Sequence, residues 1–163
     1  MNPPAAATGQ RGFSMIEVLI ALVVLAVGLL GLALLQTTNL RYTKSANLRT
    51  QAVNLGTELL DTIRANHTEV AAYAAGVQPA AITAAVKTAA RAGCPTSATM
   101  TSAANIGRWN CEVVEALGED ATASVTVNAN QVTVLVTWDD EFWITNTADK
   151  TAGAGAITLV SQL

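Results

Sequence analysis

Apolar and polar positions divide this chain into two parts. From Val18 to Leu35, eighteen consecutive residues carry no polar side chain, and from Phe13 to Leu35 only Ser14 and Glu17 interrupt. At 1.5 Å per residue this stretch is about 35 Å long as a helix, enough to cross a hydrocarbon core of roughly 30 Å. The pattern predicts a membrane-crossing helix. A secretory signal peptide has a shorter apolar region followed by a small-residue cleavage site, whereas here Leu34-Leu35-Gln36-Thr37 follows, so the segment is expected to stay attached. A buried core helix is the poorer reading of an uncharged run this long.

Beyond Leu35 the pattern narrows to a stripe. Leu48, Ala52, Leu55, Leu59 and Ile63 recur at helical spacing, while Arg49, Glu58, Asp61 and Arg64 lie off that face. No proline occurs between Phe13 and Pro79, so one helix from Phe13 to Ala65 is predicted, about 80 Å long. Its first half suits a membrane or filament and its second half can pack on a soluble domain. Residues His67 to Gly93 are alanine-rich and predict one or two short helices, with Pro79 as the break and Gly93 as the stop. In the last third, β-branched residues alternate on either side of Asn128-Ala129-Asn130, the pattern of a hairpin running from Val125 to Trp138. Val132, Val134, Val136 and Trp138 share one face, expected against the long helix. Ile157 to Ser161 supplies a third strand after a glycine-containing loop, Thr151 to Ala156. The expected fold class is α+β, a long N-terminal helix packed on a small antiparallel sheet.

Composition sharpens this picture. Hydrophobic residues make up 51% and aromatics only 4%, so the apolar excess is Ala, Val and Leu, gathered near one end. The net charge is -3 and the nine Lys and Arg are scattered singly, which gives no basic stripe to follow a phosphate backbone and disfavours nucleic acid as a partner. With one histidine and no phosphate-binding glycine loop, nothing specifies a catalytic site, a cofactor or a small-molecule substrate. Arg11 is the only charge before the span, while Arg41, Lys44 and Arg49 follow it. The positive-inside count alone would therefore leave the C-terminal part in the cytoplasm.

The residues around the one intramembrane carboxylate change that assignment. Gly12-Phe13-Ser14-Met15-Ile16-Glu17-Val18-Leu19 resembles the type IV prepilin signal, in which a polar leader ends in glycine and is followed by an aromatic residue and a glutamate at the fifth mature position. The continuation through Gln36 is similar to minor pilins of the PilV type. The resemblance implies the type IV pilin fold and cleavage after Gly12 by a prepilin peptidase, with N-methylation of Phe13. It also implies an inner-membrane anchor with the C-terminal domain in the periplasm, and later incorporation into a pilus fibre with other minor and major pilins. The implied divisions are a leader, 1–12; a membrane or filament-core helix, 13–35; the amphipathic half of the same helix, 36–66; and a periplasmic domain, 67–163. A pseudopilin of a type II secretion system shares the same leader and helix, and a fibre-tip receptor for DNA or a host surface is a reading from another class. Many major pilins carry a proline in this helix and this chain has none, so helix unwinding inferred for them does not transfer. Gly28 and Gly31 mark either a close helix contact or a soft turn.

Within this frame Glu17 has a physical role. An ionised carboxylate in hydrocarbon costs roughly 2.5 to 3.5 kcal/mol on insertion scales, so it must be protonated or paired. Cleavage after Gly12 would give Phe13 an α-amino group, and a carboxylate on one subunit can pair with the amine of the next, setting register as buried polar groups do in coiled coils. The alternative is a glutamate at the membrane interface, favoured there by the helix dipole. Cys94 and Cys111, in an exported domain, are expected to form a disulfide, the alternative being two unpaired buried thiols. A metal site is disfavoured because there is no C-x-x-C and His67, read as solvated near the helix end, is the only histidine. Asp139, Asp140 and Glu141 form the densest acidic cluster. They are calcium ligands or a solvated loop, and the short run cannot by itself supply the six or more oxygens that calcium takes. Phe142 and Trp143 beside them are a candidate contact surface.

Overall fold

The structure, a computed structural model, describes residues 12–96, 101–140 and 154–163. Most of the expected leader, together with Glu141, Phe142 and Trp143, lies outside the described residues. The chain divides into two compact units, Met1–Tyr42 and Thr43–Leu163.

The first unit is the leading part of helix α1, Met15–Ala65. The helix starts two residues later than the apolar pattern alone predicts, because the Ser14 carbonyl accepts the amides of Glu17 (3.1 Å) and Val18 (3.3 Å) and so closes the first turn. No side chain from Phe13 to Thr37 is buried, although the most apolar stretch of this helix has a mean hydropathy of 3.1. A helix that is apolar all round and exposed along this length fits a lipid or protein surround and not water. At the end of the apolar run, Thr37 and Thr38 turn their hydroxyls back onto the carbonyls of Ala33 and Leu34 (3.0 Å each), which lets polar side chains sit next to hydrocarbon.

In the second unit, the rest of α1 contributes Leu48, Ala52, Gly56, Leu59, Leu60 and Ile63 to a core. Leu55, on the predicted stripe, is only half-buried. After α1 come a 3-10 turn at His67–Glu69, helix α2 (Val70–Gly76), a second 3-10 turn at Pro79–Ala81 and helix α3 (Ala84–Ala92). Gly93, at φ +98°, ends α3 as the sequence predicts, since that backbone conformation suits glycine.

Helix α4, Ser102–Leu117, is not anticipated by the sequence reading. Two asparagines and Gly107 dilute its pattern, yet its signals are present in the chain. The Thr101 hydroxyl accepts from the Ala104 amide (3.3 Å) as an N-cap, and Gly118 at φ +103° stops the helix. Ile106, Trp109, Val113 and Leu117, spaced by three, four and four, face the main core.

The sheet is a meander of three antiparallel strands, β1 (Thr122–Asn128), β2 (Gln131–Asp139) and β3 (Ala154–Gln162), in the order β1-β2-β3. Val132, Val134, Val136 and Trp138 are all buried with the α1 stripe in one core, as the alternation predicts. Asn128 pairs with Gln131, so the hairpin loop is the two residues Ala129 and Asn130, one fewer than the sequence reading, with Ala129 in the left-handed region at φ +51°. The loop expected over Thr151 to Ala156 is also corrected, since Ala154, Gly155 and Ala156 belong to β3. Residues after α2 close the outer side of β1. The Val125 amide donates to the Val77 carbonyl (3.0 Å), and Gln78 Nε2 donates to the Val125 carbonyl (3.2 Å).

Candidate functional site

Two sets of residues carry the functional argument, one in each unit. In the first unit, Gly12, Phe13 and Ser14 precede α1 in non-helical backbone and are exposed, and Glu17 lies in the first helical turn. A carboxylate there is favoured by the unpaired amides of the helix start. Phe13 is 84% exposed and Gly12 beside it is exposed too. Built-on Cβ atoms at Gly28 and Gly31 meet nothing within 4 Å, so among the described residues no contact requires either glycine. The geometry offers an accessible peptide junction, a hydrocarbon-compatible rod and one carboxylate at its start.

The second set holds helix α4 to the C-terminal half of α1. Trp109, 2% exposed, donates from Nε1 to the Leu55 carbonyl (2.9 Å) and so combines a large buried surface with a satisfied polar atom. Beside it Arg108 bridges the two helices, with Nη2 on Glu58 (2.9 Å) and Nη1 on Glu112 (2.6 Å). The hydrogen bond to Glu58 raises the Arg108 pKa, burial opposes it, and Glu112 raises it further. A raised guanidinium pKa means that Arg108 keeps its own charge until strongly alkaline pH. On the sheet side Arg64 donates to the Ser161 hydroxyl from Nε (3.1 Å) and Nη2 (2.7 Å). Replacing Arg108 with alanine is expected to lower stability by about 1 kcal/mol without changing membrane insertion, read as a lower urea midpoint for the full chain in detergent.

Cys94 and Cys111 are joined in a disulfide with Cα atoms 5.7 Å apart. Cys111 is buried on α4 and Cys94 follows α3, so the bond ties the two helices. His67 is exposed just after α1. Asp140 accepts a hydrogen bond from Ser45 (2.7 Å), and among the described residues no group of three or more His, Cys, Asp or Glu gathers as metal ligands would. Arg91, exposed in the last turn of α3, pairs with Glu119. Sequence reasoning missed Trp109 and Arg108 as fastening residues because it missed α4. The available signal was the Ile106, Trp109, Val113, Leu117 spacing.

Comparison with protein families bears on both sets. The model of the prokaryotic N-terminal methylation motif matches residues 8–33, and the model of type IV pilin Tt1218 matches residues 34–111. The two run without a gap from before Gly12 to Cys111. The chain is a type IV pilin-like protein. No curated protein and no solved structure matches it. The pilin match ends at Cys111, inside α4, so the three-stranded sheet is established by the structure and completes the α+β pilin fold. The matched families support a pilin role in a pilus or pseudopilus. Its methylation signal and apolar helix fit anchoring in the inner membrane, processing through the prepilin signal and association with other pilins.

Proposed function

We propose that this pilin is a minor pilin of the type IV pilus, similar to the PilV type. A prepilin peptidase cuts after Gly12 and methylates the new amine of Phe13. The protein is held in the inner membrane by α1 with the unit Thr43–Leu163 in the periplasm, and it enters the fibre sparsely to prime assembly with other minor and major pilins. The carrying observation is the uninterrupted family match across an exposed Gly12–Phe13 junction, with Glu17 in the first turn of an apolar helix. The Cys94–Cys111 disulfide supports the periplasmic orientation, because such bonds persist in oxidising compartments. It outweighs the positive-inside count from Arg41, Lys44 and Arg49. For a fibre-tip DNA receptor, Arg91 and Arg108 are poor cations, each engaged by carboxylates of its own chain.

Intact mass and N-terminal sequencing of the protein from its native host, with and without the prepilin peptidase, test the reading. The expected mature chain starts at N-methylated Phe13 and reverts to the uncut form when the peptidase is deleted. A chain that keeps Met1 to Gly12 in both strains would refute processing. Recovery of the cut chain with secretion-system pseudopilins, and not in sheared pili, would move the assignment to the pseudopilus.

A further inference from the structure

Helix α4 has two apolar faces, and they belong to different cores. Ile106, Trp109, Val113 and Leu117 join the main core with α1 and the sheet. Cys111 and Val114 instead join Ala90 of α3 in a small second core, lined at its margin by Ile82, Val86, Ala89 and Cys94. Helix α3 packs on α4 and on no other element to a comparable extent. Its sequence, AAVKTAARA, buries Ala90, 9% exposed, and half-buries Val86, Lys87 and Ala89. Nine residues are too few for a helix to persist alone in water, and alanine methyls bury little apolar area. The Arg91–Glu119 pair is solvent-exposed, the kind of contact that adds little. What remains to hold α3 is the covalent bond from Cys94, two residues past its end, to Cys111.

We infer that α3 is a separately opening unit latched by the Cys94–Cys111 disulfide, so that a periplasmic dithiol can release it and bare the Cys111–Val114 strip of α4 while the main core stays folded. Cys111 is 2% exposed and Cys94 is half-buried, so the incoming thiolate attacks Cys94 Sγ. A mixed disulfide forms there and Cys111 leaves as the thiolate, taking up a proton. The second thiol of the reductant then displaces Cys94, which leaves as a thiol, and the reductant departs as its own disulfide. Two electrons and two protons pass from the dithiol to the pilin. The bond, and not the packing, is then the controlling contact for this surface.

Amide hydrogen exchange on the full chain in detergent, oxidised or treated with a dithiol reductant and capped with N-ethylmaleimide, tests the latch. Removing a cross-link that closes a loop of this size is expected to cut protection in Ala84–Ala92 by about 100-fold, with Leu48–Ile63 of α1 and strand β2 within a few-fold of the oxidised protein. Mapping during reduction should find the reductant as an adduct on Cys94 while Cys111 is the first thiol to become free for alkylation. Equal protection of α3 in both forms would overturn the inference, as would a uniform loss across the unit. If the reduced protein aggregates, Cys94→Ser gives the same reading, since it breaks the latch and leaves the Cys111 side chain of α4 unaltered. None of these outcomes depends on whether the chain is a minor pilin.

Discussion

Glu17→Ala is expected to leave membrane insertion intact and to reduce incorporation into sheared fibres by about 100-fold. The two halves of the result have opposite signs for one physical reason. In the bilayer a lone carboxylate costs roughly 2.5 to 3.5 kcal/mol, so removing it favours the inserted monomer. In the proposed assembly the same carboxylate meets the amine of Phe13 on a neighbouring subunit, and removing one partner of a buried pair costs about 3 to 5 kcal/mol because the other charge is left unpaired. At 1.4 kcal/mol per decade this exceeds a hundredfold in the assembly equilibrium. Glu17→Gln keeps the size and removes the charge, so it should fail as alanine does if pairing is the cause. Immunoblots of membrane and sheared-fibre fractions read both variants. Fibre incorporation at the parental level in the alanine variant would remove Glu17 from the assembly step and leave it as an interfacial residue.

The parts of this fold that were legible in the sequence are those where one physical constraint acts over many residues. An uninterrupted run such as Val18 to Leu35 has few other uses, and the Leu48-to-Ile63 stripe and the alternation through Val132 to Trp138 each repeat one burial decision at a fixed period. What was lost depends on single residues. Helix α4 is marked by one threonine cap and one glycine stop around a diluted pattern. The hairpin loop was read a residue too long because Ala129, with no glycine or asparagine side chain to announce it, takes the left-handed turn position. The bridges from Arg108 to Glu58 and from Arg64 to Ser161 join positions 50 and 97 apart, and no local pattern links them. At the N-terminal site the Gly12-Phe13-Glu17 arrangement was readable because its spacing is local. The fastening site at Trp109 was not, because it exists only once α4 has been laid against α1.

Gly155 belongs to that second class, and it supports the other large effect expected here. The sequence placed it in a loop, but it lies in β3 opposite Trp138 in the strand register. A Cβ built on it would stand 2.2 Å from Trp138 Cε2 and 2.5 Å from Nε1. Glycine inside a strand is usually a weakness, and here it is the seat for an indole ring. The ring is rigid and 2% exposed, and among the described residues its Nε1 has no hydrogen-bond partner, so packing positions it. Gly155→Ala must therefore move either the ring into a filled core or β3 away from β2, and an overpacked site of this kind costs about 2 to 3 kcal/mol. Gly56→Ala is the matched control. Its added methyl would meet Leu159 Cδ1 at 2.5 Å, but that is the free end of a flexible side chain on a half-buried residue. Alanine also favours the helix over glycine by about 1 kcal/mol, which offsets the crowding. Thermal melts of the full chain in detergent, followed by tryptophan near-ultraviolet circular dichroism, should show a large drop for Gly155→Ala and a small change for Gly56→Ala. Equal and small shifts would mean that the indole has room to move, and that the Trp138 side of the core is looser than its burial implies.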